Sequence, residues 1–309
     1  MTINIRLPLV LVSLVLLPLI LVPLVSASIG DERESFVNCV KSCASDLCNL
    51  PLLLRVTQWT CQSDCQYRCM RLDVLKDRLE ASRIVQYFGK WPFVRILGAQ
   101  EIFSVLFSLG NFAACLYGYF RIYKKRRSQD WMANVHLVSL FITCNTWLQS
   151  AIFHYRDTWI TEKLDYFSAC LCILSTVPSA AIRTFEIKKP RDQLKLVIPM
   201  LIIYLQHVAY MLFVEFDYGY NIKFNAFFGV LSNVLWIRYA LKHPNKEMKR
   251  KYLLFVGANV VSMLMVAIDF PPFFDLIDMH ALWHLSTIPI TLMWYKLITD
   301  DTNQKLKRK

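Results

Sequence analysis

Of the 309 residues only 19% are charged, eight are glycine and twelve are proline. A soluble domain of this size carries about 25% charged residues and interrupts its apolar stretches every few positions. The shortage of charge argues against such a domain. The shortage of glycine and proline excludes a collagen-like or low-complexity chain. Three motifs are missing as well. There is no N-x-S/T acceptor for glycosylation. There is no C-x2-C pair, the usual spacing of a cysteine zinc site. There is no G-x-S-x-G elbow, which argues against an ordinary serine hydrolase. What is abundant is apolar: 55% of the chain is hydrophobic and 14% aromatic. Its runs repeatedly approach the roughly 20 residues that a helix needs to cross a bilayer.

The first run has a different character. Residues 1–27 begin with Arg6, run apolar from Leu7 to Val25, and close on Val25-Ser26-Ala27. Pro8, Pro18 and Pro23 interrupt the run, and small residues at its end form a signal-peptidase site. A cleaved signal peptide is expected rather than a transmembrane helix. Residues 28–94 then form a polar luminal domain with six of the ten cysteines: Cys39, Cys43, Cys48, Cys61, Cys65 and Cys69. Clustered cysteines behind a secretory signal read as disulfides. Cys61, Cys65 and Cys69 share one helical face, and so do Cys39 and Cys43. Two such helices meeting antiparallel around Pro51 favour a nested set, Cys39–Cys69, Cys43–Cys65 and Cys48–Cys61. Cys115, Cys144, Cys170 and Cys172 lie in apolar runs and are expected to be buried thiols.

Seven apolar runs follow, at about 95–120, 132–154, 165–183, 194–214, 219–240, 251–268 and 277–298. The fold class expected is an all-α membrane protein, a seven-transmembrane bundle over residues 95–298, with a tail at 299–309. Arg121, Lys124, Lys125, Arg126 and Arg127 follow the first run. Lys188, Lys189 and Arg191 follow the third, and Lys242, Lys246, Lys249 and Arg250 the fifth. On the opposite side one loop carries Arg156 and Lys163, and the other two carry the acids Glu215 and Asp217, then Asp269, Asp275 and Asp278. Basic loops stay cytosolic, so the amino terminus is expected in the lumen and the carboxyl terminus in the cytosol. The net charge of +12 then reflects topology and anionic lipid, and no nucleic acid is expected as a partner. The tail ends Lys305-x-Lys307-x-x, the form of a retrieval signal for the early secretory pathway.

Chemistry concentrates at the luminal ends of these runs. His280 and His284 are spaced H-x3-H, which puts both imidazoles on one helical face about 6 Å apart along the axis. His154 ends the second run at the same depth. Three histidines can hold one zinc ion and leave a position open for chemistry. Ser150 lies one turn before His154, and Asp165 opens the third run. Zinc makes water nucleophilic near neutral pH. Asp165 can accept the proton of that water, and Ser150 can donate to the developing oxyanion. Asp157 and Asp278 are candidates to orient the imidazoles. A Ser150/His154/Asp165 triad is the alternative, but it leaves His280 and His284 without a role. His136, His207 and His243 read as packing or loop histidines.

This constellation resembles the CREST superfamily of seven-span hydrolases, which includes alkaline ceramidases and adiponectin-type receptors. Ser150, His154, Asp165, His280 and His284 fill its five marked places. More narrowly, the chain resembles the GPI-anchor lipid remodellers of the post-GPI-attachment-to-proteins factor three family. The matching stretches are Gly30-Asp31, the cysteine pattern with Trp59, and Gly89-Lys90-Trp91-Pro92-Phe93. Further matches are SAIFHYRDT from Ser150, TEKLDYF from Thr161, Asp269-Phe270-Pro271-Pro272, and DMHALWHLSTIP from Asp278. The resemblance implies a phospholipase that removes the sn-2 fatty acid from the phosphatidylinositol moiety of GPI-anchored proteins. It also implies residence in the Golgi or endoplasmic reticulum. A ceramidase-like amidase and a non-catalytic receptor or scaffold stand as alternatives. Nothing in the residues speaks to oligomeric state.

Overall fold

The computed structural model describes residues 28–43, 48–126, 131–266 and 268–307. The expected signal segment lies outside them. The cysteine-rich stretch forms three helices: α1 (Glu34–Cys43), α2 (Leu52–Val56) and α3 (Cys61–Leu79). Thr60 starts α3 with a capping box, its side chain and that of Ser63 each accepting the other's backbone N–H. α1 packs on α3. Three cysteine pairs sit at disulfide distance: Cys39–Cys69, Cys43–Cys65 and Cys48–Cys61, with Cα separations of 5.8, 5.9 and 5.8 Å. This is the nested set that the one-turn spacing of the cysteines favours. Phe36 and Tyr87 are buried with Cys65 and Cys69, so the segment has a small core besides its cross-links.

The next stretch is not helical. Two tight turns close at the bridges Tyr87–Lys90 and Ile96–Ala99. Both central residues of each turn, Phe88 and Gly89 and then Leu97 and Gly98, have positive φ. That is the signature of a type I′ turn. The first apolar helix therefore starts at Ile102, not near residue 95 as expected. The reason lies in the backbone. Val94 donates its N–H to the Asp275 carbonyl, Gln100 to Tyr155 and Glu101 to His154. A helix from residue 95 would lose these links to two other segments.

Seven long helices follow, of 21 to 29 residues. They are α4 (Ile102–Arg126), α5 (Ala133–Tyr155), α6 (Trp159–Thr184), α7 (Pro190–Phe213), α8 (Tyr218–Lys242), α9 (Lys246–Val266) and α10 (Met279–Lys307). With α1 to α3 they make ten α-helices among the described residues, and the chain is nearly all helical. α4 to α7 are long and apolar enough to cross a membrane. α8 to α10 have the length but carry more polar residues, among them Asn221, Lys223, Lys249, Arg250, Lys296 and Asp300. α6 begins at Trp159, six residues before the apolar run it contains, because Thr158 and Thr161 form a second capping box.

The helices pack in a ring. α4 contacts α5, α5 contacts α6, α6 contacts α8, α8 contacts α9, α9 contacts α10, and α10 returns to α4. α7 packs outside the ring against α6. Its Leu194, Val197, Ile198, Leu201, Ile202 and Leu205 are exposed, an apolar face suited to lipid. The α4–α10 contact is unusually close. A Cβ at Gly110 would stand 2.6 Å from Ile288, and one at Gly118 would run into the Tyr295 ring. With buried Ala114 between them, they form the small-residue stripe that lets helices approach in a bilayer.

Two polar clusters close the ends of the ring. At the cysteine-rich end, the loop before α10 turns through Phe274 and Asp275, both with positive φ. Such a conformation costs about 1–2 kcal/mol per residue. Asp275 is held there by Arg71 at 2.8 Å and Arg78 at 2.5 Å, both from α3. At the other end, Asp301 of α10 accepts from Arg183, from Tyr239 at 2.7 Å and from Tyr252 at 3.0 Å, and pairs with His243 at 3.1 Å. It joins α6, α8, α9 and α10 through one carboxylate.

Candidate functional site

Four helices deliver side chains to one place at the cysteine-rich end of the ring. α5 ends there with Ser150 and His154. α10 begins there with His280 and His284. α4 supplies Ser108, and α6 supplies Asp165. Asp278 stands just before α10 and accepts the Ala281 N–H at 2.8 Å, so it caps the helix that carries the histidine pair.

The three imidazoles converge through their Nε2 atoms. Nε2 of His280 lies 2.9 Å from that of His284 and 3.3 Å from that of His154. One ligand atom from each of the three lies within 4.8 Å of the others. His154 and His284 are 3% and 1% exposed, so water does not solvate these nitrogens freely. A neutral imidazole has one donor and one acceptor. The other nitrogens show which is which. Nδ1 of His154 lies 2.8 Å from Glu101 Oε2. A carboxylate accepts only, so Nδ1 carries the proton and Nε2 presents a lone pair. Nδ1 of His284 lies 2.9 Å from the Ser108 hydroxyl, which can accept from an Nδ1–H and so allows the tautomer that presents Nε2. In those tautomers His154 and His284 present lone pairs to one point, and an Nε2–H on His280 is the one donor of the three that could answer them. A divalent metal ion satisfies all three, and the donor set fits one.

The surroundings hold these tautomers. Lys90 Nζ lies 3.1 Å from Glu101 and 2.9 Å from Asp157. Burial pulls the Lys90 pKa down, but Glu101 and Asp157 outweigh it and hold the amine above its ordinary range. Lys90 stays charged and keeps Glu101 ionised for His154. Ser108 Oγ also lies 3.2 Å from Ser150 Oγ, and Asn111 donates to the His284 carbonyl at 2.8 Å. Asp165 adjoins both Ser150 and His154.

The five sequence-derived site residues therefore meet, but not as a triad. Both nitrogens of His154 are engaged, Nδ1 by Glu101 and Nε2 by His280, and neither points to Ser150. Ser150 reaches the imidazoles through Ser108 and His284 instead. The expected roles of Asp157 and Asp278 need correction. Among the described residues neither bonds an imidazole. Asp157 acts through Lys90 and Glu101, and Asp278 is spent on the α10 backbone. Glu101, Lys90 and Ser108 escaped the sequence reading. Glu101 gave a signal, an acid at the mouth of an apolar run. Ser108 gave none, since a serine in an apolar helix usually bonds its own backbone. The other three histidines lie elsewhere: His207 stacks on Phe224 at 4.0 Å, His136 packs edge-on against Trp294 at 6.1 Å, and His243 pairs with Asp301.

The chain is similar to known proteins over most of its length. The model of a family described as Per1-like matches residues 51–302. A Danio rerio protein named GPI-specific phospholipase A2-like PGAP3 is 34% identical over 294 residues, covering 90% of this chain and 91% of its own. A Homo sapiens protein of the same name is 32% identical over 293 residues, covering 91% and 92%. Protein PER1 homolog of Schizosaccharomyces pombe is 36% identical over 304 residues, covering 92% and 90%. No solved structure matches the chain significantly.

Proposed function

This chain belongs to the Per1-like family, and from that premise we propose that it is a metal-dependent phospholipase acting on GPI-anchored proteins. The bond cut is the sn-2 acyl ester of the phosphatidylinositol moiety. The observation that carries this reading is the convergence of three histidine Nε2 atoms beside Ser150 and Asp165. The names of the relatives supply the substrate class.

His154, His280 and His284 would hold the metal, most readily zinc, which when bound would supply Lewis acidity to an ester carbonyl and to water. The chain's own residues do the rest. Glu101 keeps His154 in the tautomer that offers Nε2, and Ser108 can accept from Nδ1–H of His284 when that histidine does the same. Asp165 accepts the proton of the attacking water. Ser150 donates a hydrogen bond to the oxygen that gains negative charge. Water adds to the carbonyl carbon, the bond to the glycerol oxygen breaks, and that oxygen takes up the proton. The products are a fatty acid and a lyso-lipid that still carries its protein.

Seven spans, an amino terminus in the lumen and a cytosolic carboxyl terminus complete the reading. The run of basic and acidic loops supports them. A luminal site suits a substrate whose protein part is luminal, in the Golgi or endoplasmic reticulum. The test is lipid mass spectrometry of a GPI-anchored substrate incubated with purified full-length protein, with metal analysis of the same sample. Wild type should release the sn-2 chain, and His284→Ala should lose both metal and release. Full release by His284→Ala, or by metal-free wild type, would overturn the mechanism.

A further inference from the structure

A cavity of about 350 Å³ opens beside the histidine cluster. Lys90 and Glu101 belong to both. Its far wall is the cysteine-rich segment, and its near wall is the turn between α5 and α6. The chemistry of the far end is distinctive. The guanidinium carbons of Arg95 and Arg156 both lie 4.3 Å from the ring centre of Trp59. Two cations thus share one indole, which places like charges close together. Burial lowers the Arg156 pKa; Asp157 opposes this and Arg95 adds to it.

The charges there are incompletely matched. Arg95 pairs with Asp64 at 2.5 Å, but Asp64 also serves Arg68. Nη1 of Arg95 is buried and makes no hydrogen bond among the described residues. A buried guanidinium N–H without an acceptor is costly. Among the described residues Arg156 bonds only neutral oxygens: the Asp157 carbonyl at 2.5 Å, and Gln100 Oε1 and the Gln58 carbonyl at 3.4 Å. An anion with several oxygens would satisfy both arginines, and a phosphate does so with the geometry guanidinium favours.

The rim shows where that phosphate comes from. Trp159 lines the cavity and is 70% exposed, next to exposed Ile160 and Leu164. Exposed tryptophan beside apolar residues at a helix end marks the headgroup level of a membrane. We propose that this cavity binds the phosphate of an inositol-phospholipid head group, with Arg95 and Arg156 as its ligands above Trp59. Bound there, the head group would place the attached glycerol ester at the neighbouring histidines. The assignment builds on the acyl-hydrolase reading, and it makes the cysteine-rich segment part of the substrate site.

The test is calorimetric titration of the full-length protein in phosphatidylcholine nanodiscs. The probes are glycerophosphoinositol, which is the head group without acyl chains, and inorganic phosphate. Arg156→Gln breaks no ion pair, and Arg95→Lys keeps a charge for Asp64 while removing the unpaired Nη1. Each variant should weaken glycerophosphoinositol binding about tenfold or more. Inorganic phosphate should bind much more weakly than glycerophosphoinositol. His284→Ala should bind the head group as wild type does although it hydrolyses nothing. In hydrolysis assays the arginine variants should raise KM with kcat little changed. No binding by wild type, or equal binding by wild type and both variants, would overturn the site. Equal affinity for inorganic phosphate would make it a general anion site and overturn the head-group assignment. If wild type binds the head group but releases no fatty acid, the hydrolase reading fails and the cavity assignment stands.

Discussion

The Ser108 hydroxyl lies between two side chains of the candidate site, 2.9 Å from His284 Nδ1 and 3.2 Å from Ser150 Oγ. With Nε2 of His284 as a metal ligand, Nδ1 carries the proton, and removing the Ser108 hydroxyl leaves that buried N–H without an acceptor, a loss of about 1–3 kcal/mol. Loss of a partner that orients a metal-binding histidine typically weakens metal affinity about 10–100-fold. Ser108→Ala should therefore require more metal for half-maximal hydrolysis while remaining folded. Titration of chelator-stripped protein with zinc measures this. An unchanged metal requirement would show that His284 is oriented by packing against Trp147 and Trp283, whose ring centres lie 5.4 and 4.8 Å away. At this scale the sequence was readable only in part. Histidines at one-turn spacing announce themselves, because few other uses require that pattern. A serine that serves a histidine 176 positions away leaves no local trace.

Between elements, the α4–α10 contact positions the histidine pair, since His280 and His284 ride on α10. Gly118 allows that contact by lacking a side chain where Tyr295 packs. Gly118→Val would push the helices apart or force Tyr295 aside, at about 1–3 kcal/mol. It should lower the melting temperature in detergent and reduce hydrolysis together. Gly257→Ala on α9 is the matched control, because nothing lies within 4 Å of the added Cβ. It should be neutral or slightly stabilising, as alanine is the better helix former. If both variants melted alike, the close approach at Gly118 would not matter to stability. The helix boundaries were legible where a cap was local, as at Thr60 and Thr158. They were not legible at Ile102, where bonds to Tyr155, His154 and Asp275 decide where the helix can begin.

Across the whole molecule, the histidine cluster and the Asp301 cluster sit at opposite ends of α10. Asp301 gathers Arg183, Tyr239, Tyr252 and His243 about 20 residues along α10 from the histidine pair. Burial alone would raise the Asp301 pKa, but His243, Arg183 and Tyr239 hold it well below the usual carboxylate range. A carboxylate depressed in the folded state contributes stability that is present above its unfolded pKa of about 3.9 and is lost as pH falls through its folded value. The contribution should be constant from pH 8 to about pH 5 and fade only below pH 4. Asp301→Ala leaves a buried guanidinium unpaired, a loss of about 3–5 kcal/mol. Melting curves of wild type and variant should differ strongly at pH 7 and converge in acid. Because the two ends share no partners, zinc binding by protein that remains folded should be unaltered. Orientation has its own measurement. Tags at the two ends of the mature chain, in sealed microsomes treated with protease, should be protected at the amino end and digested at the carboxyl end. A protected carboxyl tag would invert the proposed topology.

The amino-acid order by itself indicated the helical class and the seven long segments, favoured the nested cysteine pairs, and singled out five candidate residues that lie near one another in the fold. Each of these depends on periodicity or composition within a short stretch: apolar length, one-turn spacing of cysteines, one-turn spacing of histidines. Only the tertiary structure decided what those residues face. Glu101 reaches His154, Ser108 reaches His284, Lys90 joins Glu101 to Asp157, and Arg95 and Arg156 meet over Trp59. These pairs are brought together by the closing of a helix ring and by a loop stitched across its mouth. The energy that selects them comes from burying charges and polar groups beside one another, which no local pattern in the chain encodes.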